Sequence, residues 1–167
     1  MKSVLVLLMC LLSFVSWGQF KSVSMEIDGL TCSMCSYSVE HSIKKLSFID
    51  SVSVDLNSNV ATVKIKADAK TNIGSLIKSV RDAGFSVRSL TAQFNLDVSL
   101  ATDSFHFDNE TFIILNPSKD KTIGGVIELK FIEKTFSEAK VYKKYKPVIE
   151  KFSSDNFTSH SYYVFLM

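Results

Sequence analysis

From Ser22 the chain alternates, with Val23, Met25 and Ile27 on one side and Ser24 and Glu26 on the other, which predicts a half-buried strand. Asp28-Gly29 breaks it. From Cys35, apolar residues recur at Val39, Ile43 and Leu46, the spacing of one helix face, and Phe48 and Ile49 cover its end. Val52, Val54 and Leu56 alternate again. Asn57-Ser58-Asn59 is turn chemistry, and Val60 to Lys66 returns as a strand, so the two should pair as an antiparallel hairpin. Ile73, Leu76, Ile77 and Val80 then mark a second helix, with Thr71 or Asn72 as N-cap and Gly84 just past its end. Phe85 to Leu90 reads as a fourth strand.

The order β-α-β-β-α-β is the ferredoxin-like split βαβ arrangement, so the class predicted for residues 20–92 is α+β. Residues 93–167 read as a second small α+β domain with a mostly antiparallel sheet. Phe94, Leu96, Val98 and Leu100 alternate, Phe105 and Phe107 flank His106, and Thr111 to Leu115 is a short apolar strand ended by Asn116-Pro117-Ser118. Ile127, Leu129 and Phe131 alternate against Glu128 and Lys130. Thr135-Phe136-Ser137-Glu138 has the form of a capping box, with Phe136, Ala139, Tyr142 and Tyr145 on one face of the helix behind it. Pro147 should end or kink that helix, and Ser161 to Leu166 should form a last aromatic strand.

The first eighteen residues form a separate object. Lys2 precedes the twelve-residue apolar run Val4 to Val15, broken only by Ser13, and small residues flank Trp17. This is read as a secretory signal peptide cleaved near Gly18, which places the product in the periplasm or outside the cell. The run is shorter than the roughly 20 residues a spanning helix needs, so no stable membrane span is expected after cleavage. Cleavage removes Cys10 and Lys2, leaving 18 basic against 17 acidic side chains. A chain so near neutrality has no basic excess to displace counterions, which argues against nucleic acid as a partner.

Two cysteines remain, Cys32 and Cys35, where the first strand hands over to the first helix. So short a loop makes a poor structural disulfide, because closing it removes little entropy from the unfolded chain. Two thiols two residues apart can instead close on one metal ion. Helix N-terminal amides favour the thiolate, and thiolates select soft ions such as Cu(I). Two sulfurs satisfy Cu(I) but not Zn(II), which prefers four ligands. They also leave room for an incoming thiolate from a protein partner that takes the metal on. Hg(II), or another soft ion, would be held by the same logic. Met34 could add a thioether and is read instead as an exposed intervening residue; His41, six residues past Cys35, is read as surface. His106 and His160 have no sequence-adjacent partner and are given ordinary packing or surface roles.

These residues carry a resemblance. Gly29-Leu30-Thr31-Cys32-Ser33-Met34-Cys35 is similar to the Gly-Met-Thr-Cys-x-x-Cys motif of the heavy-metal-associated domain family. That family includes copper chaperones, the N-termini of copper-pumping ATPases and periplasmic mercury-binding proteins. Val39, Val52-Ser53-Val54-Asp55-Leu56 and Ala83-Gly84-Phe85 continue the match in order, within residues 22–92. The resemblance implies Cys32 and Cys35 as metal ligands, with Asp28, Gly29 and Thr31 shaping the loop. Leu30 stands where the family has a methionine that packs beneath the loop without binding metal; leucine keeps its volume and polarity. Phe85 resembles the aromatic that packs near the metal loop in bacterial members.

The function expected is that of an exported heavy-metal-binding protein, a Cu(I) chaperone or scavenger, with a mercury-binding periplasmic protein as the neighbouring reading. The rival from another class is a cell-envelope interaction or metal-sensing module in which residues 20–92 serve as scaffold. A dithiol oxidoreductase is a third, weakened by the lack of a tryptophan before Cys32. No motif arranges Ser, His and Asp for catalysis, so no enzyme is expected.

Overall fold

The computed structural model describes residues 19–67, 69–96, 104–116, 125–153 and 161–167. The expected signal peptide, Cys10, Val98, Leu100, Pro117-Ser118 and His160 lie outside them. The elements are β1 (Gln19–Asp28), α1 (Ser33–Lys44), β2 (Ile49–Asp55), β3 (Val60–Ile65), α2 (Ile73–Asp82), β4 (Ser86–Leu96), β5 (Ser104–Phe107), β6 (Glu110–Ile114), β7 (Gly125–Phe131), α3 (Ala139–Ser153) and β8 (Ser161–Leu166). The predicted β-α-β-β-α-β order is therefore observed up to β4. Val23, Met25 and Ile27 of β1, Val39 and Ile43 of α1, and Ile73, Leu76, Ile77 and Val80 of α2 are all buried, as their spacing predicts. Asn72, not Thr71, caps α2: its side chain accepts from the Ser75 amide at 2.6 Å.

The eight strands form one mixed sheet in the order β2-β3-β1-β4-β7-β8-β6-β5. Among the described pairings all are antiparallel except β6 with β8. The C-terminal residues thus extend the sheet that the N-terminal residues begin, rather than building another. The join is β4, which pairs with β1 on one side and with β7 on the other. Residues 92 and 93, where the sequence suggested a boundary, are consecutive positions of this strand. The alternation Leu90, Ala92, Phe94, Leu96 runs through that point without a turn residue, and all four side chains are buried.

The sheet curls. Phe20 of β1 lies 5.6 Å from Phe107 of β5 and 5.7 Å from Phe112 of β6, centroid to centroid. β1 and β6 stand four places apart in the sheet. At about 4.8 Å per strand, a flat sheet would hold them about 19 Å apart. The curled wing also reaches α2: the Asp108 carboxylate, in the tight β5–β6 turn, accepts from the Thr71 amide at 2.9 Å. Asp108 and Asn109 both have positive φ, at 48° and 67°, as a two-residue hairpin turn of matching twist requires. On the other face of the wing, Ile113, Ile132, Ile149 and Tyr163 form a smaller core beneath α3.

Two expectations about α3 need correction. The helix begins at Ala139, so Thr135 and Glu138 do not frame its first turn. The Ser137 hydroxyl instead accepts from the Glu133 amide at 2.8 Å, and Phe136 is buried in the turn before the helix. Ala139 is exposed, and the inward face runs through Val141, Tyr142, Tyr145 and Ile149. Pro147 lies inside the helix without ending it. Its position is exposed, so the carbonyl freed by its missing N–H faces water.

Candidate metal centre

β1 delivers the chain to the site, and α1 leads it away. Gly29 makes the turn at φ +90°, a conformation that side chains rarely adopt, and a Cβ there would meet the Phe85 ring at 3.6 Å. Phe85 therefore packs beside the loop as well as on the core. Leu30 is buried beneath the loop, and the Thr31 amide donates to the Gly29 carbonyl at 2.9 Å. On the flank, the Arg88 guanidinium lies 3.3 Å from the Glu26 carboxylate and 3.7 Å from that of Asp28, tying β4 to the end of β1.

Cys32 is the N-cap of α1. Its backbone is extended, at φ −149° and ψ 161°, and its sulfur accepts from the Cys35 amide at 3.3 Å. The thiol takes the place that a Ser, Thr or Asp side chain fills in other helices. Sequence pattern marked the cysteines by spacing and missed this capping role. The signal was the missing Ser, Thr, Asp or Asn immediately before Ser33, the first residue of the helix. Both cysteines are free thiols; Cys32 is exposed and Cys35 half-buried, as their places in the loop and on the Val39 face predict.

The Cys32 thiol beside it holds the Cys35 thiol below its ordinary value; partial burial opposes this, and further hydrogen bonds from Thr31 and Cys32 reinforce it. A proton lost from this pair is the first requirement for binding a soft cation. Met34 and Tyr37 are well exposed at 69% and 61%, and the Tyr37 ring stacks on His41 at 5.9 Å on the solvent side of α1. His41 is a surface residue, as its helical phase predicts. His106 lies on β5, where its Nδ1 is 3.0 Å from the Thr111 hydroxyl. Among the described residues no group of three or more His, Cys, Asp or Glu side chains could hold a metal ion.

The profile described as "Heavy-metal-associated domain" matches residues 24–86. The mercuric transport protein periplasmic component of Salmonella typhi is 32% identical over 69 residues, covering 41% of this chain and 75% of that protein. Its Serratia marcescens counterpart is 33% identical over the same shares. The chain belongs to the heavy-metal-associated domain family. Among solved structures it is similar to oxidized MerP from Ralstonia metallidurans CH34, at 34% identity over 42% of this chain and 97% of that one, with a TM-score of 0.35. It is likewise similar to a CopZ metallochaperone, at 21% identity over 40% and 97%, with a TM-score of 0.38. The heavy-metal-associated match ends at Ser86, the first residue of β4, and the wing from β5 to β8 lies outside the matched residues. No described helix is long and apolar enough to cross a membrane.

Proposed function

We propose that the protein is an exported carrier of one soft metal ion, bound by the sulfurs of Cys32 and Cys35 and passed to a protein partner by thiolate exchange. The observation that carries this is the pair of thiols at one helix start, one capping the helix and exposed, the other half-buried. The first-turn amides of α1 lie beside the charge that develops as the thiols deprotonate. A site with two sulfurs and an open side lets a third thiolate approach before the first leaves, so the ion need never be free. The exposed Cys32 is the sulfur that an incoming donor meets first.

Cu(I) satisfies two thiolates and is the leading ion; Hg(II) is the second reading, favoured by the curated relatives, which are mercuric transport proteins. The role of residues 93–167 in this reading is to hold the carrier segment in a larger body. The test is anaerobic titration of the reduced protein with Cu(I) against a competing chelator, and with Hg(II) in parallel. One tightly held ion per chain, lost in the Cys32→Ser/Cys35→Ser variant, is the expected result. Uptake unchanged in that variant would remove the proposal, and tight binding of Hg(II) alone would replace Cu(I) as the cargo.

A further inference from the structure

Where the wing curls back onto α2, two polar contacts join them. The Asp108 carboxylate, in the β5–β6 turn, accepts from the Thr71 amide at 2.9 Å, just ahead of the helix. The Tyr162 hydroxyl of β8 reaches the first turn of α2, where the Gly74 amide donates to it. A Cβ at Gly74 would stand 3.3 Å from that oxygen, so glycine leaves the hydroxyl its room. The Gly74 amide is one of the first-turn donors that no carbonyl of its own helix can meet. Both contacts are single hydrogen bonds to side chains, not rungs of a ladder.

Glu110 sits between them. It is the first residue of β6, two positions after Asp108. It shares a strand face with Phe112, whose ring stacks on Tyr162 at 5.7 Å. Its side chain is buried, and among the described residues neither carboxylate oxygen meets a partner in full hydrogen-bond geometry. The groups acting on it are the Asp108 carboxylate and the Tyr162 phenol, with no ammonium or guanidinium among them. Glu133, beyond β7, acts on the same Tyr162 hydroxyl. On β5, His106 gives its ring to Thr111, which alternation puts on the other face of β6. Lys70 before α2 and Lys134 after Glu133 are exposed, and the first turn of α2 carries no acid. An ionised Glu110 would therefore face Asp108 with no cation to offset either charge. Parting the wing from α2 would admit the water that such a charge needs.

We propose that Glu110 is the pin of a proton-operated latch: protonated, it lets Asp108 and Tyr162 hold the wing closed on the start of α2, and ionised, it opens that seam while the strands stay paired. The latch lies at the end of α2 away from Phe85 and the thiol loop, and it works without the metal. Closed, burial and then Asp108 keep the carboxyl protonated up to about pH 7, against the Tyr162 hydroxyl; opened to water it is an ordinary acid, at 4.5. Closure is thus fully favoured below about pH 4.5, weakens as pH rises to about 7, and is flat above that.

The test is amide hydrogen exchange on the reduced full chain from pH 5 to pH 8, in water and in low urea, corrected for the intrinsic effect of pH. The Thr71 and Gly74 amides should exchange through an opening that urea barely changes, because little surface is exposed by it. The Val63 amide, on a strand paired on both sides, should exchange only through the urea-sensitive global reaction. Protection of Thr71 and Gly74 should fall at least tenfold between pH 5 and pH 7 and level off above. In Glu110→Gln that fall should disappear, and in Glu133→Gln it should remain. If Glu110→Gln fails to fold, the urea and pH responses of the unaltered chain decide alone. Thr71 and Gly74 exchanging with the urea dependence of Val63 would overturn the proposal, since no separate opening would then exist. So would protection independent of pH, a fall that survives in a folded Glu110→Gln protein, or a fall abolished by Glu133→Gln.

Discussion

Leu30 supports the thiol loop with one buried side chain, whereas Phe112 stands in ring contact with four others, Phe20, Phe105, Phe131 and Tyr162. The loop is small, exposed and held by hydrogen bonds along its own backbone. The wing is aromatic and closely packed, and it buries acids as well. Glu110 is 3% exposed, and among the described residues neither carboxylate oxygen meets a partner in full hydrogen-bond geometry. Burial first, and then the Asp108 carboxylate, pushes its carboxyl up to about 7; the nearby Tyr162 hydroxyl opposes the shift. Glu133 is also raised to about 7, by burial, with the Tyr163 amide acting against it. A carrier in the proposed reading needs accessible sulfur, and Cys32 is exposed. The far end is dense, with four aromatic rings around Phe112.

This contrast breaks most sharply at the cysteines. Cys32→Ser with Cys35→Ser should lower affinity for a soft ion by several orders of magnitude. It should shift unfolding free energy by no more than about 1 kcal/mol, because serine can cap α1 in place of the thiol. Metal titration and urea denaturation on one preparation read both. Phe112→Ala should do the reverse. Loss of a fully buried ring costs about 3–5 kcal/mol, with metal affinity unchanged in whatever fraction stays folded.

The buried acids sharpen the comparison through pH. A carboxyl held near 7 in the folded chain and at 4.5 otherwise stays protonated longer when folded. Its contribution is complete below about pH 4.5, declines as pH rises from there to about 7, and is flat above that. Stability should therefore fall from pH 5 to pH 8, and Glu110→Gln should remove on the order of 1–3 kcal/mol of that fall. Chemical denaturation at a series of pH values checks it; a slope unchanged in the variant would assign the effect elsewhere. The smallest effect is expected at Gly29→Ala. A side chain at φ +90° costs about 1–2 kcal/mol, and the displaced loop should weaken metal binding at unchanged pH dependence.

The N-terminal half was legible because its elements are amphipathic with clean periods and its breaks carry Asp-Gly, Asn-Ser-Asn and Gly residues. Each apolar residue of the α2 pattern proved buried. The wing was legible as strands and one helix, but not as part of the same sheet. Period-two alternation reveals which way side chains face, not which strand lies alongside, so β4 could be heard as two shorter strands. The capping-box spelling at Thr135 points to an earlier start of α3, but Ser137 and Phe136 first make a turn back onto Glu133. The cysteine pair was visible from spacing. The role of Cys32 in holding α1, and the ring of Phe85 against Gly29, required three dimensions.

Consider finally the eleven residues of β4. Counted only as far as residue 96, the strand order is β2-β3-β1-β4, and β4 would be an outer rim. A protease cut just beyond it, with loss of the wing, would bare a row of main-chain donors and acceptors beside Phe20 and Phe94, a template on which further copies could stack. The appended strands thus cover that rim and guard it against fibre-like self-association.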